Sequence, residues 1–261
     1  MTIEEMLRSG RVQTADNGLM YAVIPEAASD GSETGGGSGS SDRSLAHMVA
    51  AVPRALVPRL GRSVCYFVPW LMKQRRTVAI ALEPAPEGET RKELCHHLDV
   101  KPNGNLLLVS LRFYEHDSYG LAMEFFDKVA YLAALEPAAN GNGADLDTLL
   151  RRQLEAKTGE LTPEAWDWRS GLAEAGPTAA AEAWLNYRRA AETDALGLYM
   201  AALHTDIFYE DLFEPESEFP PLDPELVCER VRAVERLYPP NRGFSLQVVR
   251  PRRRRRTSGQ K

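Results

Sequence analysis

Cysteine is scarce in this chain. Cys65, Cys95 and Cys228 are the only three in 261 residues, widely spaced and without a CxxC pair. An odd, scattered count argues against a disulfide framework and against a zinc ribbon, and fits buried, inert thiols in a reducing cytoplasm. Long apolar runs are missing too. The best candidate, Leu121 to Leu135, is interrupted by Glu124, Asp127 and Lys128, and nothing approaches the ~18 to 20 residues of a membrane helix. Met1 to Arg8 carries Glu4 and Glu5 and no apolar signal core, so secretion is not expected. The expectation is a cytoplasmic protein with no membrane partner.

The well-marked catalytic signatures are also absent. There is no G-x-S-x-G elbow, no H-E-x-x-H, and no HRD or DFG pattern, which removes the enzyme classes they define but not enzymes in general. Gly35, Gly37 and Gly39 lie between a predicted strand and helix. No Lys-Ser or Lys-Thr follows them, and the spacer from Ile24 to Ser44 is too long and soft for a tight phosphate-binding turn. Neither a cofactor nor a metal is expected, and there is no internal repeat.

What is present is ordinary globular composition, 44% apolar and 26% charged, with an uneven charge. The net charge is −6, yet the last twelve residues, RPRRRRRTSGQK, hold seven cations and no acid. The body without them carries 24 Lys+Arg against 37 Asp+Glu, or −13. Five successive arginines, Arg252, Arg253, Arg254, Arg255 and Arg256, repel one another, stay hydrated and attract polyanions. They are the candidate nucleic-acid or polyanion-binding residues. An acidic protein, or the chain's own acidic segment 214–225, would satisfy the same chemistry, and a purely solubilising terminus competes with all of these.

The order of elements is strand-rich, then helix-rich. Residues 1–27 read as a short helix and a hairpin, with Asp16-Asn17-Gly18 at its turn accepting positive φ. Residues 28–43, rich in Gly and Ser, read as a flexible linker. Residues 44–137 form an α+β core: a helix broken at Pro53 and Pro58, apolar runs 63–71 and 76–82 read as a hairpin, a short helix at 89–98, a strand over 105–115 covered on both faces, and a long helix from Asp117 or Ser118 to Leu135. On that last helix Gly120, Glu124, Asp127, Lys128 and Tyr131 form one narrow polar stripe on an otherwise apolar surface. Residues 138–144 are a second linker. Residues 145–249 are helical, with Thr162-Pro163-Glu164 as a helix start, a candidate partner-binding surface, and a closing strand over 243–249. Residues 250–261 are the basic tail. The fold class expected is α+β, a small antiparallel or mixed sheet with a buried helix, followed by a mainly helical C-terminal half.

Three clusters could carry chemistry. ELCHHLD (93–99) holds Glu93, Cys95, His96 and His97. Its E-x-x-H spacing suits a two-metal bundle, but the required second copy is missing. Adjacent side chains on a helix also diverge, so a helix end with favourably placed histidines is the simpler reading. Glu115, His116 and Asp117 fall where the best strand ends and the buried helix begins. An imidazole beside acids at a strand end is a candidate general base, so these three are the candidate catalytic residues. Asp117 is equally a helix cap. His204, Asp206, Glu210 and Asp211 would share a helical face as a weak cation site or, more simply, a solvated one. Two functions follow: a non-enzymatic interaction or regulatory protein attached electrostatically through its arginine tail, or an enzyme or small-molecule-binding protein with a cleft near Glu115, His116 and Asp117, joined by His96 or His97.

Overall fold

A computed structural model describes residues 1–25, 38–74, 77–81, 94–95, 97–100, 106–135, 143–156, 158–212 and 218–246. The fold is α+β. Among the described residues, seven helices, α1 (Ile3–Ser9), α2 (Ser38–Ala51), α3 (Ser118–Leu135), α4 (Gly143–Leu154), α5 (Pro163–Glu174), α6 (Ala180–His204) and α7 (Pro224–Leu237), accompany eight strands. The strands are β1 (Gln13–Thr14), β2 (Met20–Val23), β3 (Val64–Val68), β4 (Trp70–Gln74), β5 (Thr77–Ala81), β6 (Leu94–Cys95), β7 (His97–Val100) and β8 (Leu106–Ser110). Helices dominate the second half of the chain.

The principal sheet has the order β1-β2-β3-β8-β7. Its centre is parallel, β2 to β3 and β3 to β8, and its edge strands β1 and β7 run antiparallel. Parallel strands need covering on both faces, and the apolar runs provide for it. Every residue of β8 is buried. Alternate residues of β3 point opposite ways: Cys65 and Phe67 join the core formed with α2, α3 and α6, while Tyr66 and Val68 pack with Met6 of α1, Leu71 of β4 and Ile80 of β5. The second sheet, β5-β4-β6, therefore contributes to a layer on the side of the principal sheet away from the long helices.

Pro69 separates β3 from β4. The run 63–71 is thus two strands in two sheets, and the hairpin is β4 with β5. A proline cannot donate to a ladder, which makes it a natural place for a strand to leave one sheet. Residues 94–95 and 97–100 are strands, which overturns the expected helix over 89–98 for that part; 82–93 and 96 lie outside the described residues. Antiparallel pairing of His97–Val100 with β8 outweighs the weak helical preference of so short a segment. Helix α2 begins at Ser38, inside the Gly/Ser-rich stretch. Residues 244–246 form no strand, and 247–249 lie outside the described residues.

Helix α2 stops just before Pro53, and two asparagines bind its last carbonyls. The Asn17 amide donates to the carbonyls of Val49 and Val52, both at 2.8 Å. The Asn241 amide donates to those of Ala50 and Val52 at 2.8 and 2.7 Å. Gly18 follows Asn17 with φ of 92°, the conformation the hairpin turn needs from a residue without Cβ. Helix α6 crosses α3 closely: a Cβ on Gly197 would lie 3.4 Å from the Asp127 Cα. That approach sets the cleft described next. Among the described residues no helix is long and apolar enough to cross a membrane.

Candidate functional site

The polar stripe of α3 does not face bulk water alone. Asp127, Lys128 and Tyr131 form one wall of a concavity of about 530 Å³. Thr162, Pro163 and Glu164, at the start of α5, form the second wall. Ala190, Thr193 and Asp194 of α6 form the third, and His97 of edge strand β7 closes one side. The volume lies in the range of small-molecule sites, roughly 300 to 1,000 Å³.

Each side chain is placed by its element. Edge pairing of β7 on β8 brings His97 beside α3, where its Nδ1 meets the Glu124 carboxylate. The Tyr114 hydroxyl donates to the other Glu124 oxygen at 3.1 Å. Burial alone would raise the Glu124 carboxyl, but the hydrogen bond and charge of His97, with Lys128 and Tyr114, bring it below its ordinary value. Lys128 Nζ donates to Asp127 Oδ2 at 2.7 Å. Thr162 caps α5, accepting from the Ala165 amide at 3.3 Å. Its hydroxyl also reaches both oxygens of Asp194, at 3.1 and 2.9 Å.

Asp194 is the electrostatic exception. Burial pushes its carboxyl up to about 8; the Thr162 hydroxyl and Arg230 pull it partly back, and Asp127 and Glu160 push it further up. It keeps partial exposure, directed to the cleft it lines. Its neighbour Thr193 is 8% exposed, and its hydroxyl has no hydrogen-bond partner among the described residues. A buried hydroxyl without a partner costs about 1 to 3 kcal/mol.

Behind Asp194 lies a buried ionic network that fixes the floor. Glu160 and Arg230 are both fully buried. Arg230 donates to the two Glu160 oxygens at 2.7 and 3.2 Å, and its Nε donates to Gln153 at 2.7 Å. Tyr187 and Arg169 also donate to Glu160, at 2.9 and 3.0 Å. Arg169 further holds the carbonyls of Leu154, Ala156 and Gly159. Buried charges persist when paired and hydrogen-bonded in this way.

Of the sequence candidates among the described residues, His97 lines the cleft and the others lie elsewhere. Glu115, His116 and Asp117 are all exposed, and none lines the cleft. Asp117 accepts from the Gly120 amide at 2.7 Å, the hydrogen bond of a helix N-cap, and Glu115 pairs with Arg112. Helix α6 ends at His204 and 209–212 form a separate 3-10 turn, so His204 and Asp211 do not share a helix. Instead His204 faces His47 of α2, with the two Nδ1 atoms 3.1 Å apart. Burial, with His47 close by, lowers the His204 imidazole. No group of three or more His, Cys, Asp or Glu that could hold a metal occurs among the described residues. Burial raises the Cys65 thiol to about 12, which suits an inert core cysteine. His96 and Arg252, Arg253, Arg254, Arg255 and Arg256 lie outside the described residues, as does the Cys95 side chain.

A second concavity, of about 440 Å³, lies between α4 and α7 and is lined by Asp145, Arg152, Glu229, Arg232 and Arg236. Its charges are partly matched, Arg152 to Glu229 at 2.7 Å, and among the described residues no orphaned buried group lines it. The cleft at Asp194 is the stronger candidate.

No family model, no curated protein and no solved structure matches the chain.

Proposed function

We propose that the chain is a binding protein for a small polar molecule, seated in the cleft between α3, α5 and α6. The observation that carries this reading is Asp194, half-buried on the wall of that cleft and without an ion pair among the described residues. The His97–Glu124 pair resembles a base with its orienting carboxylate, but among the described residues no serine or cysteine lines the cleft, which favours recognition over covalent chemistry. The test is a screen of small polar compounds by thermal shift, with hits mapped by amide chemical shifts on the full chain. Binders should move the amides of Asp127, Thr162, Thr193 and Asp194, and Asp194→Ala should weaken them about fivefold to tenfold, the worth of one hydrogen bond. Hits that map elsewhere, or no hits at all, would end the reading.

A second reading rests on the charge asymmetry of the chain. Seven cations in the last twelve residues, set against a body at −13, support electrostatic attachment of the tail to nucleic acid or an acidic partner. Nucleic-acid binding by the full chain, compared with a chain ending at Val249, tests it.

A further inference from the structure

We infer that His47 and His204 form a binding site for one divalent late transition-metal ion, Zn(II) or Cu(II), held by their two Nδ1 atoms with water completing the shell. Neither residue lines the Asp194 cleft, and the inference is independent of the function proposed for it.

The first argument is distance. The two Nδ1 atoms are 3.1 Å apart, brought together across 157 positions of sequence. Zinc binds imidazole nitrogen at about 2.0 to 2.1 Å, and two nitrogens on one ion at that length stand about 3.4 Å apart in tetrahedral geometry. At adjacent corners of a square, as copper prefers, they stand about 2.9 Å apart. The observed separation falls between the two, so an ion enters with a small shift of the rings. A direct hydrogen bond between the rings fits the same distance and describes the metal-free chain. One Nδ1 then carries the proton and the other accepts it. On metal binding that proton moves to Nε2 of its own ring, which leaves both Nδ1 lone pairs for the ion with no net charge to remove.

The second argument is positioning. His47 sits near the end of α2, where Asn17 and Asn241 hold the last carbonyls. His204 ends α6, which is seated on α3 at Gly197. Packing orients both rings: His47 lies against Phe244, with centroids 4.9 Å apart, and His204 against Phe126, at 5.8 Å. Ligands whose rotamers are held by their surroundings are already arranged for an ion.

The third argument is the character of the donors. Among the described residues neither ring has another hydrogen-bond or ion-pair partner, and no third His, Cys, Asp or Glu joins them. Calcium and magnesium seek oxygen ligands, whereas imidazole suits zinc and copper. His47 is exposed, so the remaining coordination positions open to water. Copper should bind more tightly than zinc, as the order of divalent affinities requires.

The test uses the full chain without a polyhistidine tag. Zn(II), titrated with amide and imidazole shifts as readout, should move the signals of His47 and His204 together and saturate at one ion per chain. Cu(II) at one equivalent should give a paramagnetic resonance spectrum coupled to two imidazole nitrogens. His47→Ala, at an exposed position, should reduce the coupling to one nitrogen. It should also weaken Zn(II) by more than the roughly tenfold that loss of a mere supporting group costs, and His204→Ala should do the same. Zn(II) that moves only other residues, a spectrum with one imidazole nitrogen or none, or unchanged affinity in His47→Ala would overturn the inference. The Zn(II) shifts are read on the unaltered chain, so they decide the matter even where a variant fails to fold.

Discussion

Arg230 and Asp194 show two outcomes for a buried charge. Arg230 is matched in full, with two bonds to Glu160 and one to Gln153, and it stays charged because its neighbours favour that form. Asp194 receives one hydroxyl, with Arg230 already claimed, and burial keeps it protonated to about pH 8. The linkage sign follows. In the unfolded chain an aspartate ionises near pH 4, so between about pH 4 and pH 8 the folded state binds the additional proton. Stability should fall as pH rises through that window and level off above it. Asp194→Asn, a neutral isostere, removes this term. The stability gap between variant and wild type should widen in the variant's favour by as much as ~1.4 kcal/mol per pH unit from pH 4 to 8. Urea melts at four pH values would show it, and parallel curves would mean that Asp194 titrates normally. Part of the site was legible at this scale. The α3 stripe of Glu124, Asp127, Lys128 and Tyr131 is visible in the spacing, and these residues line or back the cleft. Glu192, Thr193 and Asp194, three polar residues in an otherwise Ala- and Leu-rich helix, were the overlooked signal. Buried polar positions inside an apolar run indicate a site more directly than an imidazole next to an acid at a helix start, because the latter also describes a cap.

Among the elements, the contact between 158–161 and 220–222 places Glu160. Its backbone pairs with Pro220 and Leu222 at 3.2 and 3.1 Å, and the Gly159 amide donates to Pro221 at 3.2 Å. A Cβ on Gly159 would fall 1.3 Å from the Pro220 carbonyl oxygen, and backbone on both sides leaves nothing flexible to move aside. Gly159→Ala should therefore cost about 3 kcal/mol, the scale of a severe packing clash, with the floor of the cleft disturbed as well. Chemical denaturation would measure it, and a loss under about 0.5 kcal/mol would mean that the two segments separate readily. Local signals identified the elements that end on local chemistry: the break of α2 before Pro53, the Thr162-Pro163 start of α5, and the 18 residues of α3. They failed where pairing between distant segments decides. Nothing in 93–99 announces that His97 would be drawn into a strand by β8; Pro69 signals a strand end, but not that the run divides between two sheets.

For the whole molecule, the separation of charge is the dominant long-range feature. On the proposed tail reading, the cations of residues 250–261 engage phosphates. For five to seven phosphate contacts on a single strand, the slope of log affinity against log salt should be roughly −3.5 to −5, a loss of about 100-fold to 1,000-fold between 50 and 200 mM. The chain ending at Val249 should lose that binding. If both chains bind alike, or neither binds, the tail has no such role. The acidic excess of the body was readable by counting residues. Which of those acids line the cleft was not, because that depends on how α3, α5 and α6 cross.

Helix α6 joins these scales. Glu192 faces Arg59 at 2.5 Å, Asp194 lines the cleft, Gly197 rests on α3, and the Tyr199 hydroxyl donates to the Tyr238 carbonyl at 2.8 Å. Each step along a helix turns the next side chain by about 100°. One residue inserted ahead of Glu192 would swing all of these groups away from their neighbours at once, whereas an insertion in the exposed first turns is cushioned by solvent. Between Trp184 and His204, the length of this rod is a stricter inheritance than most of the letters written along it.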